Sequence, residues 1–291
     1  MGEKCALCGE EKELQLSHII PKFVGRYLKQ TSIGNIRNQE NPDKVIQDIE
    51  KHYLLCHDCE ELFSASERYF ANNVFYPYHR DNVDTIAYNE QLFYFITSLS
   101  WRSLYLDIID YVREGELKLD VLEKMIESDG VMREYLLGKR TDIGNIEHHI
   151  FFFERIKSVN APADSPYFTG NPHVTVHRSL TSYSGYADNT VYTISNLMGM
   201  IVVTLYSKDQ DEVWEGTQIY NRVDTILAKD QHMASRLGAD IQFWMEQSQK
   251  AAEQMSEQTK EKIVKKLTGL GDDITNYAIF QDFTDDQHLN Y

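Results

Sequence analysis

Every cysteine of this 291-residue chain falls in one of two Cys-x-x-Cys pairs, Cys5/Cys8 and Cys56/Cys59, with 47 residues between the pairs. Two residues between ligands let the backbone turn tightly and aim both sulfurs at one ion, so a doubled pair suits tetrahedral zinc. The N-terminus, MGEKCALC, has no apolar run of a secretory leader, and the longest apolar stretch, Leu197 to Leu205, is under half a membrane span. A cytoplasmic location without membrane contact is therefore expected. In that compartment thiols stay reduced and a disulfide framework is of little use. The alternative is four buried free thiols.

The first pair, closed by Gly9, reads as a knuckle. The second lies where a strand, His52-Tyr-Leu-Leu, gives way to a helix whose Phe63, Phe70 and Val74 share one face. Knuckle, hairpin, then helix with the last ligands in its first turn is treble-clef geometry. The 47 intervening residues are long for a plain zinc ribbon, so a functional insertion is expected there. Within it, Leu14, Leu16, His18 and Ile20 read as one face of a strand that Pro21 ends.

These residues carry a resemblance. Cys5-Ala-Leu-Cys8, Ser17-His18-Ile19-Ile20-Pro21 and Leu55-Cys56-His57-Asp58-Cys59-Glu60 resemble the HNH (ββα-metal) endonucleases over residues 1–75. The string LLCHDCEELFSASERYFANN is similar to a subgroup of bacterial HNH-like proteins associated with mobile elements and phage defence. The resemblance implies a phosphodiesterase acting on DNA. It makes His18 the general base, Cys5, Cys8, Cys56 and Cys59 the structural zinc ligands, and Ser17 and Glu60 the ligands of a separate catalytic Mg²⁺ or Mn²⁺. Two positions depart from the family pattern. Ser17 stands for the usual Asp or His, and Lys51 for the central Asn, for which Asn35, Asn38 and Asn41 are candidates. The competing reading is a non-catalytic zinc module for structure, nucleic-acid binding or protein interaction, with His18 a core residue.

The formal net charge of −16 argues against a protein that coats nucleic acid. Residues 1–80 hold 10 Lys/Arg against 12 Asp/Glu, and residues 18–39 hold Lys22, Arg26, Lys29 and Arg37 with no acid. If nucleic acid is touched, those four residues are the contact; otherwise the segment is a solvated loop.

Beyond residue 80 a larger, helix-rich α+β unit with a small antiparallel sheet is expected over 81–291, giving an α+β chain of two domains. Residues 88–113 have the spacing of an amphipathic helix, and 116–137 of a second, interrupted near Gly130. Strands are expected over 148–156, 173–180 and 189–206, with 181–189 the turn between the last two. A long helix is expected over 228–267, then a loose acidic tail after Gly271. His148, His149, His173 and His177 are ligands by type, but no acid or cysteine lies at supporting spacing, and a structural role is expected. Phosphate-binding glycine loops and nucleophile-elbow motifs are absent from the sequence. An acidic, helix-rich partner domain behind a nuclease-like head suggests docking to another protein, such as an ATPase.

Overall fold

A computed structural model describes residues 3–153, 156 and 171–289. The chain is α+β with small antiparallel sheets. It opens with the short pair β1 (Glu3–Lys4) and β2 (Glu11–Lys12), then β3 (Leu14–His18), α1 (Lys22–Thr31), β4 (Lys51–Cys56) and α2 (His57–Phe70). Strands β3 and β4 form an antiparallel hairpin with α1 inserted in its connection. A π-helical turn over Ala71–Phe75 leads into α3 (Tyr76–Asp81), where Pro77, lacking an N–H, falls in the first turn.

After β5 (Thr85–Tyr88), helix α4 runs over Glu90–Glu114, capped by the Asn89 side chain on the Gln91 N–H at 2.9 Å and ended by Gly115 in the left-handed region. Residues 92–93 and 95–104 of α4 are buried on every side of the helix. That reflects its central place: α2 and α5 (Leu119–Leu136) flank it, and the main sheet lies across it. Helix α5 continues through Gly130 without a break.

The main sheet has five antiparallel strands in the order β11 (Gln218–Ile219), β6 (Glu147–Phe152), β9 (Met200–Ser207), β8 (Thr190–Leu197), β7 (Leu180–Ala187). Glu154 and Arg155, the end of the strand expected over 148–156, lie outside the described residues. The β8–β9 turn is Met198-Gly199, both at positive φ (59° and 89°), the two-residue hairpin geometry that matches strand twist. One sheet face meets α4 through small polar side chains, with Ser100 Oγ 2.7 Å from Thr204 Oγ1. The other packs Phe151, Ile194, Ile201 and Val203 against Ile241, Trp244 and Met245 of α7 (Gly238–Gln254).

Four expectations are corrected. Residues 173–177 belong to a helix, α6 (Pro172–His177), because Pro172 opens its first turn and the Asp286 carboxylate accepts the N–H groups of His173 and Val174. The segment expected as a turn, 181–189, is mostly strand β7, and the turn contracts to Asp188-Asn189. The long helix over 228–267 is instead β13 (His232–Ala234), α7 and α8 (Glu257–Leu270), after β10 (Val213–Glu215) and β12 (Asp224–Leu227). It breaks at Ser256, whose hydroxyl caps α8 and donates to Asp43 at 2.9 Å. The tail is ordered as α9 (Ala278–His288), with Asp282 and Asp286 buried against α6.

The hydrophobic core crosses residue 80. Val24, Phe70, Val74 and Phe75 share one cluster with Phe95, Ile96 and Leu99 of α4 and with Phe152, Met200 and Val202 of the sheet. The cysteines sit in a second cluster with Leu55, Phe63, Trp101, Leu104 and Met125.

Candidate functional site

The four sulfurs converge because three local structures converge. Gly9, at φ 78°, closes the knuckle by donating its N–H to the Cys5 carbonyl at 2.9 Å. The Ala6 N–H reaches the Leu54 carbonyl at 3.0 Å and ties the knuckle to β4. Cys56 ends β4, and Cys59 lies in the first turn of α2. All four sulfurs then lie within 4.8 Å of one another, and Cys5, Cys56 and Cys59 are buried. The Cys56 N–H donates to the Cys5 sulfur at 3.3 Å. Burial opposes ionisation of Cys5, yet the backbone N–H groups of Cys8, Cys56 and Leu7 prevail and bring its thiol down to about 7. Burial pushes Cys8 and Cys59 up. Four adjacent sulfurs, supported by N–H donors and shielded from water, fit a thiolate-binding metal such as zinc.

The hairpin between the cysteine pairs carries the remaining candidates. Its register shifts between Gln15 and Leu16. An irregularity of this kind reverses the alternation beyond it. Leu16 is consequently 41 % exposed, while Ser17 is 2 % exposed and turned inward; the expected face of Leu14, Leu16, His18 and Ile20 does not form. The Ser17 hydroxyl donates to a Glu60 carboxylate oxygen in the first turn of α2. His18, next along the strand, projects to the other side. Its Nε2 lies 3.3 and 3.4 Å from the two oxygens of Asp48. Asp48 also accepts from Lys51 Nζ at 2.9 Å, and Lys51 is the register partner of His18. The Lys51 ammonium, assisted by His18 and the Ile49 N–H, holds the Asp48 carboxyl well below the usual carboxylate range.

The structure thus brings Ser17 together with Glu60 and His18 together with Asp48; no described hydrogen bond joins the two pairs. Asn38 accepts the Asn41 N–H at 2.7 Å in a turn of its own, so the described partner of His18 is an aspartate. Lys22, Arg26 and Lys29 lie exposed on α1 at positions that share one helical face, and the Lys29 ammonium reaches the Gln47 carbonyl beside Asp48. Arg37 is turned into its loop, donating to the Pro42 carbonyl at 2.9 Å.

Two residues of this region escape a reading of the sequence by motif. Asp48 becomes visible only once the hairpin register sets Lys51 opposite His18. Arg102 had a local signal, a lone charge within the apolar run FITSLSWRSLYL of α4. It is 1 % exposed and donates to the His18 carbonyl at 2.8 Å and to Glu67 Oε1 at 2.9 Å, so α4 holds both β3 and α2.

Beside the hairpin opens a cleft of about 510 Å³ lined by Glu50, His52, Asp107, Asp110, Arg113 and Ser182. Asp107 accepts the Ser184 N–H at 2.6 Å. Burial pushes its carboxyl up to about 6 against the opposing hydroxyl and N–H of Ser184. The folded state therefore holds this proton more tightly than the unfolded chain, whose Asp titrates near about 3.9. The stabilisation from Asp107 is full below about pH 4 and is lost as pH rises through about 6. Urea unfolding of wild type and Asp107→Asn between pH 4 and 7 measures it. The difference between the two should change by about 2–3 kcal/mol, the wild type losing ground as pH rises. A constant difference would remove the assignment.

No helix of the described residues is long and apolar enough to cross a membrane. No protein-family model, no curated protein and no solved structure matches the chain.

Proposed function

We propose that the N-terminal ββα unit is a metal-dependent endonuclease of the HNH type, with His18 as general base and Cys5, Cys8, Cys56 and Cys59 on a structural zinc. The observation that carries this reading is the His18–Asp48 pair, Nε2 to Oδ1 at 3.3 Å, on the hairpin that joins the two cysteine pairs. A carboxylate on Nε2 orients the ring and stabilises the imidazolium, which leaves Nδ1 to take a proton from the attacking water. The water oxygen bonds to phosphorus, and the bond to the 3′-oxygen breaks. Lys22 and Arg26 on α1 supply phosphate contacts to DNA, with Lys29 nearest Asp48. Glu60 and Ser17 would hold Mg²⁺ or Mn²⁺, an ion that would supply charge stabilisation at a phosphodiester. A role in phage defence with a partner such as an ATPase belongs to the same proposal.

A second reading, a non-catalytic zinc module that binds nucleic acid or protein, draws on one observation. Ser17 and His18 project to opposite sides of β3, and each is already paired within the chain. Plasmid nicking with Mg²⁺ or Mn²⁺ separates the two. Under the nuclease reading His18→Ala loses about 10²–10⁴-fold in rate. Asp48→Asn loses less and shifts the pH profile. Equal nicking by wild type and His18→Ala rejects His18 as the base; nicking by neither, with His18→Ala costing about 1–3 kcal/mol of stability, leaves the non-catalytic module.

A further inference from the structure

Far along the chain from the cysteines, two other imidazoles are held in an unusual way. His173 and His177 are four residues apart on α6 and share one face. Their rings lie 5.5 Å apart. His173 Nδ1 meets Asp286 Oδ1 at 2.8 Å, and His177 Nδ1 meets Asp282 Oδ1 at 2.8 Å, both carboxylates coming from α9. Asp286 also accepts the N–H groups of His173 and Val174 at 2.8 and 3.2 Å, and Asp282 accepts from Arg178 Nε at 2.7 Å. A carboxylate only accepts, so each Nδ1 carries a proton, and in the neutral ring each Nε2 keeps its lone pair. Both Nε2 atoms are buried, and neither has a hydrogen-bond partner among the described residues.

The buried histidines of the sheet behave differently. His148 places Nε2 on Thr97 and Nδ1 on Thr204, each at 2.8 Å. His149 places Nδ1 on Thr217 at 2.9 Å and Nε2 on Glu147 at 3.4 Å. A histidine retained for packing satisfies both nitrogens in this way. A carboxylate behind Nδ1 and an unused lone pair on a buried Nε2 is instead the arrangement of a histidine that ligates a metal. Gly199 of the β8–β9 turn packs directly on the His177 ring, where an added Cβ would lie 2.3 Å from Cδ2 and 2.7 Å from Nε2, so only glycine fits beside this imidazole. Among the described residues no further His, Cys, Asp or Glu completes a set of three here.

We propose that His173 and His177 form a second metal site, separate from the cysteine cluster, that takes one divalent transition cation of the zinc, cobalt or nickel type on its two Nε2 atoms. Imidazole suits these ions. The ion fastens α6, and through Asp282 and Asp286 fastens α9, so it locks the C-terminal helix onto the sheet end. The reading is independent of the nuclease proposal.

The test uses the full chain with one equivalent of Zn²⁺ on the cysteines, titrated with Co²⁺. Uptake of one equivalent of Co²⁺, with visible d–d absorption and no near-ultraviolet thiolate-to-cobalt band, is expected. His173→Gln and His177→Gln should each weaken that uptake by about 100-fold and Asp286→Asn by about 10–100-fold. Circular dichroism and retention of the cysteine-bound zinc show that each variant is folded. Should a variant not fold, the wild type decides alone: Co²⁺ should shift two buried histidine ring signals in proton NMR. No Co²⁺ uptake by the zinc-loaded wild type, uptake unchanged in both histidine variants, or shifts confined to exposed histidines would each overturn the proposal.

Discussion

With zinc on the cysteine cluster, chelation should unfold more than the first 60 residues. The sulfurs of Cys5, Cys56 and Cys59 are packed in one apolar cluster with Leu7, Ile19, Leu54, Leu55 and Phe63, and the same cluster includes Trp101 and Leu104 of α4 and Met125 and Met132 of α5. A structural zinc contributes about 10 kcal/mol or more in small zinc-binding units, because unfolded chain offers no assembled site. Without it, the thiols that burial already disfavours as thiolates return to neutral and leave a loose pocket at the centre of that cluster. A strong chelator, or Cys59→Ser, is therefore expected to lower the melting temperature of the whole chain by about 10 °C or more. About one zinc per cysteine cluster should be released to a chromogenic indicator. Acid should release it too, because protons compete for the thiolates. If the cysteines are only packed thiols, chelation changes neither melting nor metal content, and Cys59→Ser costs about as much as an ordinary small core substitution.

How much of this was legible in the sequence follows from how local each cause is. The cysteine cluster was, because spacing within each pair is a local fact and the absence of any other cysteine forces the pairs together. The α+β class and the extent of α4 were, since both rest on periodicity. The register of β3 was not: the shift at Gln15/Leu16 is set by pairing with β4, and one displaced residue exchanges the buried Leu16 that the pattern demands for a buried Ser17. Helix α6 was misread because His-Val-Thr-Val-His alternates with a period of two. Its helical form is supported by Asp282 and Asp286, more than 100 residues away in the chain. The break between α7 and α8 likewise depends on Asp43, and the order of the acidic tail on two histidines and Arg178. At the candidate site, His18 was marked by its motif, whereas Asp48 and Arg102 are brought to it by strand register and helix packing.

Arg102 is the place where a single substitution should do most damage outside the cysteines. Its guanidinium is nearly dry, with a side-chain exposure of 2 %. Its Nη1 serves the His18 carbonyl at 2.8 Å, its Nη2 serves Glu67 at 2.9 Å, and its Nε serves the Ser98 carbonyl at 3.2 Å. The Phe63 ring lies 5.4 Å below the guanidinium carbon and covers it. Truncation removes the donors while their acceptors stay in place, which costs more than the interaction contributes when intact. Arg102→Ala is expected to destabilise the chain by about 3–5 kcal/mol. Arg102→Met, which keeps much of the volume, separates the electrostatic loss from the cavity and should still cost about 2–3 kcal/mol. Adding Glu67→Gln to Arg102→Met should recover about 1–2 kcal/mol, because the unpaired carboxylate is removed. Strict additivity of the two substitutions in a double-mutant cycle would mean that the pair is not coupled. Because Arg102 donates to the backbone of His18 itself, its loss should also loosen His18 without touching its side chain. In Arg102→Met, His18 should exchange its Asp48 contact for solvent, seen as a displaced histidine ring signal in proton NMR. An unchanged His18 ring signal in a folded Arg102→Met protein would show that β3 holds the imidazole without help from α4.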